Sequence, residues 1–193
     1  KSSISCYTSR DRFFRKAYDN LNDATLHSTT YNGFGEECVT AMESLKILVE
    51  EDYVGKSRRI YERLNKGLRQ LQDKHPDFIQ EVRGSGSLNG IILNQDMNIA
   101  FKMALKFLPG DLFEDKRFMA KLINSAVISE LFNTHGILTF FGSNTDILLI
   151  TSPSLIVTDS EIDQFLIALD ETLAVGKMTL VLKFAQQKFL RRP

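Results

Sequence analysis

The chain has no tryptophan, only two cysteines and four prolines in 193 residues, and no net charge. Lys+Arg and Asp+Glu balance at 24 each, so no net field draws in nucleic acid or an anionic membrane surface, which argues against a DNA- or RNA-binding module. Cys6 and Cys38 are too few for a disulfide framework, and no Cys/His cluster has the spacing of metal ligands. A reducing, cytoplasmic setting is therefore expected. No apolar run approaches the roughly 20 residues that a membrane-spanning helix needs. The N-terminus lacks a signal-peptide pattern, and neither an internal repeat nor a low-complexity linker is found.

What is present is an ordinary globular composition, 43% hydrophobic and 25% charged, enough for one core or for part of a larger enzyme. Residue 1 is Lys, and Ile4-Ser5-Cys6-Tyr7 already reads as a strand. The sequence is thus expected to enter a fold already under way. Ser9-Arg10-Asp11-Arg12 opens a helix bearing Phe13, Phe14 and Tyr18. A polar stretch leads to Thr29-Thr30-Tyr31-Asn32-Gly33-Phe34-Gly35, and then Cys38, Met42, Leu45 and Val49 recur at helical spacing over 35–50. Cys38, on that stripe, reads as a core residue rather than a nucleophile. Glu36 and Glu37 suit a helix start through the dipole and need no catalytic role.

The spacing of Ile60, Leu64, Leu68 and Leu71 predicts a helix over 53–74, which His75-Pro76 stops. Ile79 to Leu93 reads as strand, tight turn, strand. Helices are predicted over 97–108 and about 115–134, followed by a strand pair, Ile137 to Phe141 and Ile147 to Thr151. Thr158-Asp159-Ser160-Glu161 has the form of a capping box, with Ile162, Phe165, Leu169 and Leu173 as the buried stripe behind it. A last amphipathic helix near 177–191 carries Met178, Val181, Leu182, Ala185 and Phe189 on one face; it is read as packing on its own domain or a partner rather than on a membrane. This order predicts an α+β domain, with helices packed on a small, mostly antiparallel sheet. Arg83, between a strand and two glycines, reads as a structural ion pair or a turn contact rather than a carboxylate clamp, and His27, His75 and His135 as surface histidines beside turns.

Three segments, in order, carry a resemblance. His27-Ser28-Thr29-Thr30-Tyr31-Asn32-Gly33 enters a helix, Val82-Arg83-Gly84-Ser85-Gly86-Ser87-Leu88-Asn89-Gly90-Ile91 spans the strand pair, and Pro153-Ser154-Leu155-Ile156-Val157-Thr158 precedes Glu161-Ile162-Asp163. Together they resemble the class III aminotransferases of pyridoxal-phosphate fold type I. The resemblance implies a homodimer whose subunit has a large α/β domain and a smaller C-terminal α+β domain. Residues 1–50 would be the end of the cofactor-binding large domain and an interdomain helix, and 51–193 the small domain.

The resemblance also implies the cofactor, pyridoxal 5'-phosphate, an amino donor and a keto acceptor. The family's Schiff-base lysine falls just upstream of residue 1 when the strand Ile4–Thr8 is matched, so the chain alone is expected to be inactive; Lys1 is the alternative. Thr30 matches a threonine that binds the cofactor phosphate of the neighbouring subunit, with Thr29 next if the register slips by one. From the residues alone, both threonines read as caps of the helix that follows. Asn32, Phe34-Gly35-Glu36 and Ile150 depart from the family pattern, Ile150 standing where an arginine is common. These departures leave a second reading beside the transaminase: a non-catalytic assembly domain built on the same fold.

Overall fold

A computed structural model describes residues 9–18, 35–96, 117–142 and 146–189. The chain divides into two compact units, Lys1–Val54 and Gly55–Pro193. The expected strand near 3–8 and helix over 97–108 lie outside the described residues.

In the first unit, α1 (Asp11–Tyr18) starts with the amides of Phe13 and Phe14 donating to the Arg10 carbonyl, and Arg15 reaches Asp11 at 2.6 Å one turn back. α2 (Gly35–Glu50) begins with Glu36 and Glu37, whose carboxylates oppose the positive end of the helix dipole. None of its described side chains is buried. Val39, Met42, Leu45 and Val49 are 68%, 71%, 62% and 81% exposed. Cys38 is exposed as well, which corrects its reading as a core residue. The helical period is right, but within this chain nothing described covers the stripe.

The second unit holds the core. α3 (Tyr53–Lys74) buries Ile60, Leu64, Leu68 and Leu71, as their spacing predicts, and ends at His75 and Pro76. β1 (Ile79–Ser85) and β2 (Leu88–Leu93) form a hairpin with Ser85 opposite Leu88. Gly86, at φ 58°, supplies the left-handed residue that so short a turn requires. The buried Asn89 steadies this turn by donating to the Gly86 carbonyl at 3.3 Å.

α4 (Phe118–His135) buries Ala120, Ile123, Val127 and Leu131, and Gly136 (φ 69°) ends it. The amides of Gly136 and Ile137 donate back to the carbonyls of Phe132 and Leu131. β3 (Phe140–Phe141) and β4 (Leu148–Thr151) complete a four-stranded sheet in the order β1-β2-β4-β3, every neighbouring pair antiparallel. β3 is shorter than the predicted strand because Ile137 is spent on capping α4.

The expected capping box opens α5 (Asp159–Ala174): Thr158 accepts from the Glu161 amide, and Glu161 accepts from the Thr158 amide. α6 (Lys177–Phe189) packs on α4, joined by Lys183 to Glu130 at 2.8 Å. Its inward face is the expected one in part, since Val181 is buried and Met178 packs against the core. Leu180 is buried too and Phe184 packs against the core, whereas Leu182 is exposed.

Pleating sorts the sheet into two faces. Val82, Ile91 and Leu149 lie opposite one another across the strands and are buried in the core with the helices. Arg83, Gly90, Ile150 and Phe140 form the neighbouring row, which register places on the other face.

Candidate functional site

The residues expected to meet a cofactor, Thr29 and Thr30, lie outside the described residues, as do Lys1 and His27. The described residues supply two other places where chemistry could occur: the open face of the sheet, and the end of the β3–β4 pair.

On the open face, Arg83 takes the first of its two expected structural roles, the ion pair. Its Nε and Nη2 donate to the two carboxylate oxygens of Glu81 at 2.6 and 2.9 Å, and its Nη1 donates to Asp146 at 2.9 Å. These hydrogen bonds hold the guanidinium protonated and the Glu81 carboxyl below its usual range. Two carboxylates more than neutralise one cation, so Arg83 keeps no charge for a substrate carboxylate. Ile150 sits beside it in the row, with Gly90 between them.

At the end of the pair, Leu64, Ile137, Thr139, Phe140, Ile150, Pro153, Ile162 and Phe165 are among the residues lining a cleft of about 190 Å³. Among the described residues Glu161 is the one ionisable side chain in that lining. Its hydrogen bonds from the amide and hydroxyl of Thr158 lower its pKa, so it enters as a fixed anion. The cleft was not anticipated from the sequence, because it depends on where two strands part; Pro153 just after β4 is the one local signal for it.

Other titratable groups hold elements together. His75, whose side chain is only 15% exposed, places Nε2 2.6 Å from Asp170. Lys74 is 2.6 Å from the other oxygen of the same carboxylate. This corrects the reading of His75 as a surface histidine: it ties the end of α3 to α5. The hydrogen bonds from Lys74 and His75 hold the Asp170 carboxyl below its usual range. Arg59 pairs with Asp159, and Arg63 with Asp163 at 2.9 Å, further along the same seam. The Lys177 ammonium donates to the carbonyls of Asp77 and Asp96 at 2.7 and 2.8 Å, and desolvation lowers its pKa. Among the described residues no group of His, Cys, Asp and Glu could hold a metal ion, and no helix is long and apolar enough to cross a membrane.

A family model, aminotransferase class-III, matches residues 5–173. Aminotransferase PigE of Serratia sp. (strain ATCC 39006) is 25% identical over 174 residues, spanning 78% of this chain and 20% of its own length. Among solved structures, a transaminase with L-ala superposes with a TM-score of 0.63 at 24% identity, over 88% of this chain and 36% of that one. An amine transaminase from an uncultivated Pseudomonas species, in its PLP-bound form, gives 0.62 at 22%, over 85% and 33%. A Bacillus anthracis aminotransferase gives 0.61 at 19%, over 86% and 34%. The chain therefore spans a fifth of this curated relative and about a third of these solved structures. At these identities the structural likeness is one of fold.

Proposed function

Since the chain belongs to the class III aminotransferases, we propose that the protein of which it forms part moves an amino group between an amine or amino acid and a keto compound. The observation that carries this reading is the family match over 5–173, which takes in all three sequence segments in their order. Pyridoxal phosphate, when bound, supplies the electron sink for that chemistry. The residues that the resemblance assigns to the group lie outside the described ones, and among the described residues the cleft offers no cation for a phosphate. Its attachment is assigned instead to a lysine outside this chain, and its phosphate to Thr30, or Thr29, of the neighbouring subunit. The chain alone is then inactive.

A hydroxyl and backbone amides ahead of a helix suit a phosphate dianion. The bare stripe on α2 supports a homodimer, since Met42, Leu45 and Val49 are apolar, exposed and spaced for one helix face. A cytoplasmic setting is part of the same reading. The test of the threonine is Thr30→Ala in the complete protein, with cofactor affinity as the readout. Loss of one hydrogen bond to a charged group should weaken binding by about 10-fold or more, with Thr30→Ser close to wild type. An unchanged affinity in Thr30→Ala, with a loss in Thr29→Ala, would move the role by one residue. No change in either would remove it from this segment.

The alternative, a non-catalytic assembly domain, draws on the same α2 stripe and on Ile150. It predicts a folded complete protein that takes up no cofactor.

A further inference from the structure

The β3–β4 ladder runs no further than Phe140 opposite Ile150. On that register Leu138 would face Ser152, but the two chains part there and the cleft of about 190 Å³ lies at the opening. We propose that this cleft is a binding site for a neutral, apolar group of about phenyl or branched-alkyl size, and that it discriminates against carboxylates. The proposal concerns the second unit alone and does not depend on the aminotransferase reading.

Size is the first support. An apolar cavity of about 150 Å³ is enough to hold benzene, whereas water in such a place lacks the polar partners it needs. Leu64, Ile137, Ile150, Ile162 and Phe165 give the cleft walls of the same kind. Charge is the second. Among the described residues Glu161 is the one ionisable group in the lining, and Thr158 fixes it as an anion. Among the described residues a carboxylate entering here would meet like charge and no uncommitted cation: Arg83, two places along the row from Ile150, is taken by Glu81 and Asp146, and Arg59, which donates to the carbonyl of the lining Val157, is paired with Asp159. Third, Thr139 stands in the wall, and its buried hydroxyl has no hydrogen-bond partner among the described residues. A ligand with one oxygen could recover that bond. Leu138 and Phe140, both lining the cleft, are exposed, as an apolar ligand's entry would need.

The test is a titration of the 193-residue chain, ¹³C-labelled at Ile and Leu methyls, with benzyl alcohol and separately with benzoate. The two probes share a ring and differ in charge. Benzyl alcohol is expected to give saturable shifts confined to the lining methyls of Leu64, Ile137, Leu138, Ile150 and Ile162. Its dissociation constant should be on the order of millimolar, as suits an eight-atom ligand. Benzoate is expected to bind at least about 10-fold more weakly, by the like-charge argument. Ile150→Arg should reverse that preference. Ile150→Trp fills the cleft without adding charge and should abolish both shifts, so the test survives if the arginine variant fails to fold. Equal binding of the two probes, or shifts scattered over the surface, would overturn the proposal. So would the absence of shifts in the chain, or cleft methyls in the complete protein that neither probe moves because a segment of the protein fills the space.

Discussion

Replacing Thr158 by alanine removes the hydroxyl together with the γ-methyl group, and the consequence for the hydrogen bonds can be followed atom by atom. Thr158 Oγ1 accepts from the Glu161 amide at 3.2 Å and donates to Glu161 Oε2 at 2.7 Å. The Thr158 amide keeps its own bond to that carboxylate, 2.8 Å. The variant therefore loses the half of the capping box that satisfies an orphan amide in the first turn of α5. Such losses cost about 1 kcal/mol, within a span of roughly 0.5–2. For a domain of this size that is a fall of about 3–5 °C in Tm. Thr158→Ser retains the oxygen and should stay within about 0.5 kcal/mol of wild type. The assay is urea unfolding followed by circular dichroism, with wild type, serine and alanine measured side by side. If alanine and serine are equally stable, the hydroxyl is not capping α5 and the reasoning fails. The effect also has a pH sign. Glu161 has a folded pKa below its ordinary value near 4.5, through its bonds from Thr158. Its share of the cap is present above that value and disappears as the pH falls through the lower, folded one. The difference between wild type and alanine should accordingly narrow in acid.

Two further outcomes are expected. Leu149→Ala opens a cavity in the fully buried middle of the sheet, where Leu149 faces Ile91, and should cost about 3 kcal/mol, within roughly 2–5, by the same unfolding assay. Asp170→Asn strips Lys74 and the largely buried His75 of their shared carboxylate and should cost about 1–2 kcal/mol at pH 7. Because the Asp170 pKa is lowered in the folded state, its contribution is present above about pH 4 and lost as the pH falls through the folded value. The asparagine variant and wild type should then approach each other in acid, and a difference that grows instead would contradict the ion pair.

Local signals in the sequence located most of the elements. Gly35–Glu50 and Tyr53–Lys74 have the bounds that their stripes and stops predict, Gly86 marks the hairpin, and Thr158 with Glu161 forms the box its spacing requires. What the sequence could not tell is which apolar face meets what. The α2 stripe has the period of a buried helix, yet it is bare among the described residues, because period reports amphipathicity and not the surface that covers it. In α6, apolar residues occur on several sides. Packing selected Leu180 and Val181 over Leu182, and only the position of α4 decides that. The cleft was equally hidden, since it arises where Ile137 caps α4 and Pro153 follows β4, two local demands that pull a strand pair apart. Ile150 was visible as an unusual residue, but Leu64, which shares the cleft lining with it, is distant in sequence.

The measurement that bears most directly on the cofactor assignment is borohydride reduction in the presence of pyridoxal phosphate, followed by peptide mapping of the modified lysines. It is to be made on the 193-residue chain and on the complete protein. The predicted result is scattered, low-level labelling of the chain's surface lysines, and in the complete protein one adduct on a single lysine outside these residues. A single adduct on Lys1, or a complete protein that acquires none, would contradict it.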